Sequence, residues 1–111
     1  MSYVRHEAIL VSSWQAEAVQ VARLLACDFD GLLATPIAEC GETFTFAIVP
    51  EGSKAGRREA DAARVDREKW KRLAREKFGD RSGLYIQWVH VAYPGIGDLQ
   101  SASVIDEEST Q

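Results

Sequence analysis

The stretch Gly52-Ser53-Lys54-Ala55-Gly56-Arg57-Arg58 brings together groups that bind anions. It joins a strand-like segment to the start of a long helical one. Free N–H groups and the dipole at a helix start favour negative charge. Two glycines let a ligand approach the backbone closely. Lys54, Arg57 and Arg58 add positive charge, and Ser53 adds a hydroxyl. The spacing matches neither a Walker A loop nor a dinucleotide fingerprint. The chemistry expected of Gly52, Ser53, Lys54, Gly56, Arg57 and Arg58 is therefore recognition of a phosphate or another acidic group. The plainer reading is a solvated strand-to-helix connection.

The second charged feature follows directly. The chain carries a formal net charge of −4, yet residues 52–81 hold eleven basic and six acidic side chains. The first 51 residues hold two basic and seven acidic, and residues 82–111 hold no Lys or Arg. Positive charge is thus concentrated on one segment, which suits a small anion or an acidic protein surface. Several opposite charges stand at i,i+4, such as Glu68 with Arg72 and Arg72 with Glu76. Each such pair contributes only about 0.2–0.5 kcal/mol, the pattern of an ordinary solvated face. The acidic total argues against nucleic acid as the partner.

Other constellations carry less chemistry. His6 and His90 are expected on neighbouring strands, but they lack the hydroxyl residues of two-histidine phosphoesterase motifs. Two histidines alone make no metal set, and Cys27 and Cys40 form no CxxC pair, so neither metal nor cofactor is expected. The cysteines read as two reduced thiols. Phe44 and Phe46 share the Phe-x-Phe step of an RNA-recognition strand, but the rest of that signature is absent. Most aromatics are expected in the core. No local Ser/His/Asp, Cys/His or paired-carboxylate motif stands out.

The elements that must position these residues follow from periodicity and punctuation. Tyr3 to Ser12 is rich in β-formers, and Ser13 can cap a helix over Trp14–Phe29, with Ala18, Val21, Ala22, Leu25 and Phe29 on its inner stripe. Asp30-Gly31 is expected to end that helix, with glycine supplying positive φ. Leu33–Glu39, marked by Pro36 as an edge or bulged strand, forms a hairpin with Thr43–Val49. Phe44, Phe46 and Ile48 share one face of the second strand. A second helix is predicted over Arg57–Phe78, with Ala63, Arg67, Trp70, Ala74 and Phe78 on one stripe and Gly79 as its cap. Leu84–Tyr93 is the next strand, and Ser101–Ile105 an extra C-terminal one.

The order βαββαβ in 111 residues fits a single α+β domain spanning residues 1–105. Right-handed crossovers favour a ferredoxin-like two-layer sandwich, an antiparallel sheet with two helices on one face. Residues 106–111 are expected to be an acidic, frayed tail. No apolar run approaches the roughly 18 residues of a membrane span, and the N-terminus lacks the pattern of a secretory signal. The expectation is a cytoplasmic protein without membrane contact.

Three stretches, Ser2–Trp14, Ile48–Gly56 and Trp88–Tyr93, resemble a group of small, largely uncharacterised proteins encoded by tailed phages and prophages. The chain departs from that group at Arg57, where an aromatic is usual, and in its Arg-rich helix. The resemblance implies a protein acting in the host cytoplasm. It also implies binding rather than catalysis, by sequestering a nucleotide signal of host defence or blocking a host factor. The expected protein is a non-enzymatic homo-oligomer that takes a phosphorylated small ligand at Gly52–Arg58. The alternative is an inhibitor of a host protein, working through the basic helix or the open sheet face.

Overall fold

A computed structural model describes residues 5–50, 58–94 and 103–110. Strand β1 (Arg5–Ser13) leads into helix α1 (Ala16–Cys27), followed by the short strands β2 (Leu33–Ala34) and β3 (Ala38–Cys40) and by β4 (Thr43–Val49). Helix α2 (Arg58–Lys77), β5 (Gln87–Pro94) and β6 (Ser103–Ser109) are the remaining described elements. The six strands form one open sheet in the order β2-β4-β1-β5-β6, with β3 also paired to β4, and every described pairing is antiparallel.

Register decides which side chains share a face. Val11 stands opposite Phe46 on one side and Trp88 on the other, and Ile9 stands opposite Ile48 and His90. These residues face the helices. Ala18, Val19, Ala22 and Ala26 of α1, Trp70 and Ala74 of α2, and Phe78 just past its end close over them to form the core. The alanines let α1 approach the sheet closely, which accounts for a stripe that runs through Val19 and Ala26 rather than Val21, Leu25 and Phe29. The latter three pack at the core's margin. The Trp70 indole N–H donates to the Ala22 carbonyl at 3.1 Å, joining the two helices.

Several element boundaries differ from expectation for local reasons. α1 starts at Ala16, after Gln15 as N-cap. The Ser13 hydroxyl still serves the turn, accepting from Gln15 N–H at 3.0 Å and donating to the Tyr85 carbonyl. The strand expected over Leu33–Glu39 is split, with Thr35-Pro36-Ile37 between β2 and β3, because proline cannot supply a ladder N–H. The helix ends at Cys27 with Asp28 as C-cap, so Gly31 does not cap it. Gly31 serves close approach instead. A Cβ there would lie 2.6 Å from Asp66 Oδ2 and 3.2 Å from the Ala62 carbonyl of α2. Gly79 does take positive φ, at 134°, just past α2. Asp106–Ser109, expected to fray, form the second half of β6 on β5. No described helix is long and apolar enough to cross a membrane.

Candidate functional site

The anion site expected from sequence lies at the edge of what is described. Gly52, Ser53, Lys54, Gly56 and Arg57 fall outside the described residues. Arg58 opens α2, and its side chain also falls outside them.

What the fold does assemble is an ionic cluster between α2 and the sheet. Residues 67, 71 and 75 recur at i,i+4, so Arg67, Lys71 and Arg75 line one edge of the helix. The same edge meets the helix-facing side of β1, β5 and β6, where Glu7, His90, Asp106 and Glu108 stand at alternate positions. Arg67 reaches Glu7 at 3.3 Å. Lys71 Nζ reaches Glu68 at 2.5 Å, Asp106 at 3.3 Å and His90 Nδ1 at 3.0 Å. Arg75 spans two residues of β6, donating from Nη2 to Asp106 at 2.8 Å and from Nε to Glu108 at 3.0 Å. Trp88 forms the floor, its ring centroid 5.0 Å from the Arg75 guanidinium and 5.9 Å from Lys71 Nζ.

The electrostatics follow from burial and partners. Arg67, Lys71 and His90 are all buried. Lys71 has only protons to give, so His90 Nδ1 accepts from it and Nε2–H donates to Glu7 Oε1 at 3.0 Å. Burial holds the His90 pKa below its usual value, and the charges of Lys71 and Arg67 reinforce this against the opposing pull of Glu7. The hydrogen bond from Arg75, helped by Lys71, holds the Asp106 carboxyl below the usual carboxylate range. The Trp88 indole N–H is buried without a hydrogen-bond partner among the described residues.

This cluster corrects the expected charge pattern. Within α2, Glu68 pairs with Lys71 rather than with Arg72. Three of the helix's cations are neutralised from outside it, by β1 and β6, so its basic charge is less available than the sequence suggests. Helical spacing placed Arg67 on the inner stripe, but Lys71 carried no signal of burial. His6 and His90 do lie on neighbouring strands, but on opposite faces. His6 leans against Tyr93 with ring centroids 5.0 Å apart. Phe44 and Phe46 face the helices, so the Phe-x-Phe step presents no stacking platform on the open side. Cys27 and Cys40 are exposed free thiols. Among the described residues, no group of three or more His, Cys, Asp or Glu side chains is placed to hold a metal ion.

No described helix packs on the opposite sheet face. It carries a shallow concavity of about 710 Å³ lined in part by Leu10, Ser12, Thr43, Thr45, Val89 and Glu107. Leu10 is 46% exposed on this face, beside Val89 in register, and Val104 is also exposed. The lining mixes aliphatic groups with hydroxyls and a carboxylate, and among the described residues no Lys or Arg contributes to it. Chemically it suits an apolar projection flanked by a hydrogen-bonding or basic group, and it disfavours a phosphate. No family model, curated protein or solved structure matches this chain.

Proposed function

We propose that the chain is a non-enzymatic binding protein that engages a partner protein through its open sheet face. One observation carries this reading: a concave, partly apolar sheet face lined by Leu10 and Val89, with no described helix over it. Isolated exposed leucines are ordinary, but a contiguous apolar patch with a polar rim is the pattern of an interface. The strand order β2-β4-β1-β5 with antiparallel neighbours supports a ferredoxin-like core to which β6 is added. The likeness of Ser2–Trp14, Ile48–Gly56 and Trp88–Tyr93 to tailed-phage proteins supports a partner drawn from the host, as in counter-defence. The inward commitment of Arg67, Lys71 and Arg75 moves the interface away from the basic helix. A second reading, capture of a phosphorylated small ligand, is supported by Lys54, Arg57 and Arg58 around the start of α2.

Capture from bacterial lysate on immobilised protein tests the first reading. A partner held by the wild type and by Arg64→Glu, but lost with Leu10→Arg, supports it. A partner indifferent to Leu10→Arg, or no partner at low and raised salt, defeats it. Native mass spectrometry of protein purified from that host tests the second reading. A co-purified phosphorylated molecule lost in Lys54→Ala supports it, and a ligand-free mass removes it.

A further inference from the structure

Strand β6 sits on the sheet without an apolar anchor. None of its seven residues is buried, and Val104 and Ile105 are 60% and 42% exposed. It is held by its ladder to β5, which shifts register at His90/Val91, by the two carboxylates turned towards α2, and just past its end by hydrogen bonds between Thr110 and the Ile86 backbone. The cationic and aromatic groups beneath those carboxylates belong to elements with their own anchorage. Lys71 and Arg75 flank Trp70 and Ala74 on α2, and Trp88 lies in β5, all three of these apolar residues being part of the core. The floor therefore owes its position to the body, not to the strand it holds.

Its chemistry is specific. A guanidinium over an indole, with two different nitrogens each donating to a different carboxylate, reads acidic side chains two residues apart on an extended chain. Lys71 adds a second charge on Asp106. We propose that Lys71, Arg75 and Trp88 form a docking site for acidic extended segments of a partner protein, which β6 occupies in cis as a displaceable strap. A partner strand with carboxylates at alternate positions would make the same ion pairs and the same ladder on β5. The tether keeps β6 at an effective concentration on the order of mM, so the resting protein is closed and a competitor must exceed that advantage. The floor lies on the helix side of the sheet, while Glu107 of β6 lines the open face, so displacing β6 would also change that concavity.

The test uses the full chain and a fluorescent synthetic peptide copying residues 102–110, followed by anisotropy. The chain carrying Asp106→Asn and Glu108→Gln should bind the peptide at least tenfold more tightly than the wild type. The peptide carrying the same two changes should bind at least tenfold more weakly to that variant. Adding Arg75→Gln to the variant should abolish binding, and raising salt from low to 0.5 M should weaken it. Hydrogen exchange is read in parallel. Amides of Ser103–Ser109 should lose protection in the variant while those of α1 and β1 keep theirs. Equal affinity for wild type and variant, or for acidic and amide peptides, overturns the proposal. So does unchanged protection of β6, which would show that the carboxylates do not hold it. A variant that unfolds altogether also overturns it, because the body must stand without the strap. Light scattering identifies the remaining occupant: a dimer lost with Arg75→Gln would mean that the acidic segment is a second copy's β6, which supports the same floor.

Discussion

Lys71 Nζ lies 3.0 Å from His90 Nδ1, and both side chains are buried between α2 and β5. An ammonium can only donate, so this contact fixes the imidazole as neutral, with its remaining proton on Nε2 facing Glu7. Protonating His90 would bury a third positive charge beside Lys71 and Arg67, with Glu7 on β1 and Asp106 on β6 to oppose it.

Acid should therefore destabilise the fold in two steps. The folded His90 pKa is depressed below 6.5, so the unfolded chain binds the extra proton first. Its contribution is full above about pH 6.5, the unfolded value, and is lost as pH falls through the lower folded value. The folded Asp106 pKa is depressed below 3.8, so its contribution persists to more acidic pH and is lost as pH falls from there through the folded value. Urea midpoints from pH 8 to pH 3 should show both losses. His90→Gln should flatten the first and leave the second. A midpoint that rises on acidification below pH 6.5 would contradict the assigned tautomer.

Removing the ammonium tests the same contact from the other side. Lys71→Met keeps the buried stem but leaves His90 Nδ1 without a donor and Asp106 with Arg75 as its remaining side-chain donor. Glu68 and Asp106 retain access to water, which limits the cost to about 2 kcal/mol. The His90 pKa should move upward, because the Lys71 charge is one cause of its depression. NMR titration of the two histidines in wild type and variant checks the direction.

Gly31→Ala should destabilise by about 1–3 kcal/mol, although alanine normally favours ordered backbone. The added methyl would stand 2.6 Å from Asp66 Oδ2 and 3.2 Å from the Ala62 carbonyl. The carboxylate can swing away only by abandoning its 2.9 Å bond to Gly31 N–H, and the carbonyl is fixed in α2. Denaturant unfolding at pH 7 measures the loss. A neutral result would mean that the approach of the α1–β2 connection to α2 is looser than these distances.

Trp70 joins the two helices and fills the space between them. Trp70→Phe should cost about 1–2 kcal/mol, from lost volume and the lost hydrogen bond to the Ala22 carbonyl. Trp70→Ala should cost about 3–5 kcal/mol. Leu10→Arg, on the open face, should stay within about 0.5 kcal/mol of the wild type. Thermal unfolding of the three side by side ranks buried against exposed positions.

Much of the fold was legible because local patterns and tertiary needs agree. Phe44, Phe46 and Ile48 alternate and face the core together. Gly79 stops α2 where glycine was expected. The split around Pro36 follows from a missing donor. The reading failed where a local preference was overridden at a distance. Gly31 looked like a helix stop, but it is a glycine because α2 passes within contact. Asp106–Ser109 looked like a solvated tail, since nothing local holds three consecutive acidic residues on a sheet.

Sequence alone determined the element order, the core stripe of α2 and the concentration of positive charge on residues 52–81, because period, punctuation and charge count are local properties. Tertiary structure alone decided where that charge goes. Coulomb attraction depends on distance in space, and only the antiparallel pairing of β5 with β1 and β6 brings Glu7, Asp106 and Glu108 against Arg67, Lys71 and Arg75. The helix that reads as a basic surface in one dimension is, along one edge, the inner wall of a neutralised cluster in three.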